Sequence, residues 1–111
     1  MEYLKPEFIS ENNRRTLKQL FTSPIAQVNS YHAKKGAVLG NHYHKETTEY
    51  FYITKGTILY NSEKIFYKGD LFRVSPPERH TLEIISPEAT FLSFLTRPYT
   101  KEHTDIWIKE S

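Results

Sequence analysis

Apolar and polar positions alternate along most of this chain. Short runs rich in β-branched and aromatic residues recur at intervals of about 8–12 residues, with turn signals between them. This pattern predicts strands near TLKQLF (16–21), AQVNSYHA (26–33), HYH (42–44), EYFYITK (49–55) and TILYNS (57–62). Further strands are predicted near KIFY (64–67), DLFRVS (70–75), HTLEIIS (80–86) and ATFLSFLT (89–96). The breaks are Lys35-Gly36, Lys55-Gly56, Asn61-Ser62-Glu63, Lys68-Gly69-Asp70 and Pro76-Pro77, all residues that favour turns. The i, i+3, i+4 recurrence of an amphipathic helix is missing. Many short strands in one chain imply an all-β sandwich or barrel. The ends, about 1–15 and 97–111, read as an arm and a tail packed outside the main sheet.

The stretch HYHKETTE carries the candidate chemistry. On a strand, residues i and i+2 share a face, so His42 and His44 project together with Tyr43 opposite. Glu49 follows a short polar KETT segment that can bend the chain back. An H-x-H pair alone fits two surface histidines on a polar strand equally well. Two imidazoles and a carboxylate converging on one point cost stability unless a cation neutralises the carboxylate and is bound by the group.

Composition narrows the classes. A chain of 111 residues forms one core, so residues 1–111 are read as a single domain. The formal charge is +2 with scattered Lys and Arg, which lacks the basic stripe of nucleic-acid binding. No cysteine is present, so disulfides and thiolate metal sites are excluded, in keeping with a cytoplasmic protein. No apolar run reaches the length of a membrane span, and no membrane partner is expected. The eight Tyr, seven Phe and one Trp are a high aromatic share, suited to lining a pocket.

The spacing around the histidines resembles a known family. Gly36, five residues, His42, one residue, His44, four residues, Glu49, six residues and Gly56 match the first cupin motif, G-x5-HxH-x3,4-E-x6-G, at each fixed position. The second motif, G-x5-P-x-G-x2-H-x3-N, is matched at Gly69 and His80, while Ser75, Pro77 and Ile84 replace its other fixed residues. The resemblance implies a small cupin, a double-stranded β-helix or jelly-roll barrel. It also implies one divalent metal held by His42, His44, Glu49 and His80. Three imidazoles and a carboxylate suit Fe, Mn, Ni, Co or Zn. Ligands from several strands leave coordination positions open for a substrate. His32 and His103 lie outside the motifs and are read as surface or interface residues.

A second likeness concerns function. EFISENNRRTLKQLF followed by KKGAVLGNHYHK is similar to the start of dTDP-4-dehydrorhamnose 3,5-epimerases and dTDP-sugar 3,4-ketoisomerases. TRPYTKEHTDIW is similar to the epimerases' ending at Pro98, Tyr99 and Asp105. Those enzymes carry an arginine before the histidine to grip the diphosphate, where this chain has Leu39-Gly40. The epimerases have a glutamine or similar residue in place of His44, work without metal and are longer. By position, His42 would be their proton-abstracting base, a role that competes with metal ligation. The expected function is metal-dependent isomerisation or epimerisation of a sugar or nucleotide sugar, with His42, Glu49 and Tyr60 as catalytic residues. Phe51, Tyr52 and Arg73 are the expected substrate contacts, with Ile53 continuing the apolar wall and Arg79 and Arg97 as further phosphate candidates. An Fe(II) dioxygenase-type cupin and a non-catalytic sugar-binding cupin are the alternatives. The apolar arm residues Tyr3, Leu4, Phe8 and Ile9 predict a homodimer in which the arm packs on a second copy.

Overall fold

The computed structural model describes residues 1–108, and these form an all-β domain. Its strands are β1 (Glu2–Leu4), β2 (Phe8–Glu11), β3 (Thr16–Gln19), β4 (Gln27–Lys34), β5 (Val38–His42) and β6 (Glu49–Lys55). They continue as β7 (Thr57–Tyr60), β8 (Lys64–Tyr67), β9 (Leu71–Val74), β10 (His80–Ile84) and β11 (Glu88–Leu95). A five-stranded sheet in the order β1-β9-β6-β11-β4 faces a four-stranded sheet in the order β5-β10-β7-β8. Every strand pair is antiparallel.

The core lies between the two sheets because each strand turns alternate residues inward. Phe51 and Ile53 of β6, Phe72 and Val74 of β9, and Ala89 and Phe91 of β11 supply one side. Ile58 and Tyr60 of β7, Phe66 of β8, and Leu82 and Ile84 of β10 supply the other. Phe72 stacks between Phe66 and Phe51, with ring centroids 4.1 and 4.9 Å away. Gly56 joins β6 to β7 at φ 87°, where a Cβ would meet the Glu88 carbonyl oxygen at 2.3 Å. Only glycine fits this motif position, for both conformation and space.

The N-terminal arm differs from expectation, because its first strand joins the five-stranded sheet. Part of the N-terminal arm folds back on its own barrel. Leu4 and Tyr3 pair with Leu71 and Phe72, and the Tyr3 hydroxyl donates to Asp70. The strand β1 thereby covers the edge of β9, which answers the need to protect an exposed edge. The β2-β3 hairpin forms its own two-stranded sheet, with Phe8 and Ile9 more than half exposed. The tail joins neither main sheet and packs against the loop between β5 and β6. Its Asp105 is buried, and Trp107 bridges to Tyr43 through paired backbone hydrogen bonds of 2.9 and 3.0 Å. The last three positions of that tail, 109–111, lie outside the described residues. Among the described residues, no helix is long and apolar enough to cross a membrane.

Candidate metal centre

Three strands and one loop bring His42, His44, Glu49 and His80 together. His42 ends β5, and His80, directly opposite it, begins β10. The pairing steps from His80↔His42 to Thr81↔Gly40, so Asn41 is an extra residue bulged out of β5. Gly40 and Asn41 both adopt positive φ, 86° and 62°, to make that bulge. A Cβ on Gly40 would stand 2.8 Å from the His80 carbonyl oxygen and 3.3 Å from its ring. The bulge and the bare glycine thus let β5 approach His80 closely. His44 lies beyond the end of β5, so the pair is not carried on one regular strand as expected. The Tyr43–Trp107 bridge holds the segment in place of a ladder.

One ligand atom from each of the four residues lies within 4.8 Å of every other. The three imidazole centroids are 4.5–5.1 Å apart. His44, Glu49 and His80 are only 5, 6 and 1% exposed, while His42 is half-buried. Glu49 Oε1 stands 3.1 Å from Nε2 of His44 and 3.5 Å from Nε2 of His80. His44 Nδ1 donates to the backbone carbonyl of Asp105 at 2.8 Å. A neutral His44 bonded this way turns its Nε2 lone pair toward a carboxylate oxygen, so two acceptors face each other. A shared proton or a cation resolves the conflict. The Nδ1 atom of His80 is buried without a hydrogen-bond partner. The donor set, with the opposed acceptors of His44 and Glu49, fits a divalent cation.

The electrostatics follow from burial. Burial pushes His80 down to about 4, against the pull of Glu49, and the neighbouring His42 and His44 push it further down. Burial lowers His42 as well, helped by His44. Burial also works to lower His44, but hydrogen bonds to Glu49 and to the Asp105 carbonyl outweigh it and raise that ring.

The four residues line a cavity of about 620 Å³ whose walls come from the edge strands β4 and β5, from inward residues of β6, β10 and β11, and from the tail. Phe51 lines it as expected, with Leu39, Leu82 and Phe91 completing an apolar wall. Arg97 is the one arginine among the three phosphate candidates that reaches it. Five expected site residues do not belong to it. Tyr60 is buried in the core, where its ring meets Phe66 and Phe72 and its hydroxyl donates to Glu78. Tyr52 points to the opposite face of β6 from Glu49 and Phe51. Arg73 likewise faces outward on β9, against Glu2 and the ring of Tyr50. Arg79 bonds Asn41 at the surface. Ile53 packs in the core, beyond the cavity.

Two tyrosines do line the cavity, Tyr99 of the tail and Tyr31 of β4, and the Tyr31 ring stacks on Phe91 at 4.8 Å. Burial raises its phenol, and the charge of Glu49 raises it further. The inward parity of Gln27, Asn29 and Tyr31 was readable from the alternation of β4, but nothing local marked which strand would border the cavity. His32 pairs with Glu88, and His103 with Glu46, both at the surface.

No protein-family model matches the chain, and no curated protein matches it in sequence. Solved structures do match in shape. The capsular polysaccharide assembling protein CapF from Staphylococcus aureus superposes with a TM-score of 0.68 at 18% identity. The match covers 94% of this chain, which spans about a third (34%) of CapF. A dTDP-4-dehydrorhamnose 3,5-epimerase from Elizabethkingia anophelis gives a TM-score of 0.73 at 18% identity, over 90% of this chain and 70% of that one. The same enzyme from Bacillus anthracis gives 0.73 at 15% identity, over 91% and 74%. These likenesses show the fold, a small cupin barrel, which the two sequence motifs imply.

Proposed function

We propose that this chain is a metal-dependent cupin that isomerises or epimerises a keto sugar, carried as a nucleotide sugar. The observation that carries this reading is the His42–His44–Glu49–His80 cluster lining an apolar-walled cavity of about 620 Å³, a size suited to a small ligand. The solved structures similar in shape include a dTDP-6-deoxy-D-glucose-3,5-epimerase from Legionella pneumophila in complex with dTDP-4-keto-L-rhamnose, which supports the substrate class. A divalent cation on the four residues would supply Lewis-acid polarisation of the sugar carbonyl. The rest falls to this chain's own side chains. Tyr31, protonated at neutral pH, is placed to donate or hold a proton at the substrate oxygen. Phe51, Leu82 and Phe91 offer flat apolar surface to a sugar ring and keep water out. Arg97 takes the place of the missing arginine near His42 as the phosphate contact.

Proton exchange tests the reading. In deuterated water, metal-loaded protein should exchange the proton beside the carbonyl of a dTDP- or UDP-4-keto sugar, as followed by NMR. The exchange should vanish on chelation and in Glu49→Gln. Exchange that survives chelation but is lost in His42→Ala would favour the metal-free reading, in which His42, the most exposed of the four, is the base. Binding without exchange would make the chain a sugar-binding module. Turnover that requires oxygen would instead point to Fe(II) oxygenase chemistry.

The assembly proposed is still a homodimer, now resting on the β2-β3 hairpin rather than on the whole arm. Phe8, Ile9 and Leu17 are exposed there at 51, 54 and 44%, and a small hairpin is only marginally stable alone. Light scattering at micromolar concentration should give twice the chain mass of 13.1 kDa. A monomer mass would exclude the dimer.

A further inference from the structure

The segment 97–108 does more than wall the cavity. Asp105 makes two distinct sets of contacts from one position. Its carboxylate gathers the loop between β5 and β6: Lys45 N donates to Oδ1 at 3.0 Å, and Glu46 N and Thr47 N donate to Oδ2 at 2.9 and 2.8 Å. The Thr47 hydroxyl adds a bond to Oδ2 at 2.8 Å, and the Trp107 indole N–H adds one to Oδ1 at 3.1 Å. Its backbone carbonyl separately accepts the Nδ1 proton of His44 at 2.8 Å. Asp105 itself sits at φ 49°, a left-handed conformation that an aspartate tolerates better than most residues. That conformation lets carboxylate and carbonyl serve the same loop at once. The Tyr43–Trp107 bridge closes the arrangement on its other side.

We propose that Asp105 is a positioning residue for the metal centre. It fixes His44 as the Nδ1–H tautomer through its carbonyl and holds the loop carrying His44 in register with Glu49 through its carboxylate. Metal-binding histidines depend on such a partner at their second nitrogen for ring orientation and basicity. Here the partner comes from a tail some sixty residues further along the chain. The histidine pair is therefore assembled only when the tail docks. The inference rests on the metal reading for its consequence, but not for its geometry.

The test uses two measurements on the full chain. In metal-free wild-type protein at alkaline pH, nitrogen-15 NMR of the imidazoles should show His44 as the Nδ1–H tautomer. Asp105→Ala keeps the backbone carbonyl but removes the carboxylate that anchors the tail to the 45–47 loop. The carbonyl should then no longer stand against His44, the tautomer signature should be lost, and affinity for Co(II) alone, read from its visible absorption, should fall by about 10–100-fold. Trp107→Phe removes one donor to the carboxylate and leaves the carbonyl bond. It should lower the melting temperature while preserving both the tautomer and the Co(II) affinity. A folded Asp105→Ala protein with wild-type tautomer and Co(II) affinity would overturn the proposal. So would an Nε2–H tautomer of His44 in the wild type, a result that does not depend on the variant folding. Wild-type protein that takes up no Co(II) would sink the metal reading, and the tautomer of His44 would still decide the role of Asp105.

Discussion

Replacing His42 and His44 together by alanine should abolish stoichiometric metal binding and remove the response of the melting temperature to chelators. The four ligand atoms lie within 4.8 Å of one another, and the double variant leaves only Glu49 and His80, half of an N3O set. A metal that binds only the folded chain stabilises it by about 2.7 kcal/mol at a hundredfold excess over Kd. For a domain of this size, each kcal/mol moves the melting temperature by roughly 4–8 °C. Chelation of wild-type protein should therefore lower it by on the order of 10 °C or more, and chelation of the double variant should do nothing. Elemental analysis is the direct check. A double variant with full metal occupancy would show that the cation, if present, sits elsewhere.

The His42–His44–Glu49–His80 cluster was legible in the sequence because three of its members lie within eight residues, where spacing and strand parity act locally. His80 was legible only through the family motif, since what brings it to His42 is the pairing of β5 with β10. The bulge that perfects that pairing was not foreseen. It depends on Asn41 at φ 62°, and an asparagine in a β-prone run carries no obligatory signal. Parity settled less than it seemed to for the substrate residues. Tyr52 and Arg73 stand on the outward faces of strands whose inward faces hold Glu49, Phe51, Phe72 and Val74, and an explicit parity count excludes both. Tyr60 does face inward, yet it lies opposite Leu82 and packs on Phe66 and Phe72, away from the cavity. Parity chooses a face of a strand, and depth along the barrel comes from register. Asp105 was noticed only as part of a tail resemblance. Its contacts to Lys45, Glu46 and Thr47 span about sixty residues of sequence, a separation at which local pattern is silent.

The metal-free protein should also lose stability in mild acid, before most carboxylates titrate. His80 is 1% exposed and its folded pKa is pushed down to about 4, whereas an unfolded histidine titrates near 6.5. Above about pH 6.5 neither state binds this proton, and the full stability is present. As the pH falls below that value, the unfolded chain takes up the proton and the folded chain does not. Stability then drops by up to about 1.4 kcal/mol per pH unit until the folded ring titrates as well. His80 should account for a loss of about 2 kcal/mol between pH 6.5 and 5, and about 3 kcal/mol by pH 4. His42, also lowered by burial, acts in the same direction. His44 acts against them: its raised pKa gives stability that is fully present below about pH 6.5 and lost as the pH rises through its folded value. Because both lowered rings oppose the single raised one, the net slope should follow His80. Urea unfolding of chelated protein at pH 6.5 and 5 measures it. His80→Gln should flatten the difference, because the amide fills much of the same space without a titrating group. A wild-type curve already flat between those two pH values would show that His80 is not held neutral by its burial.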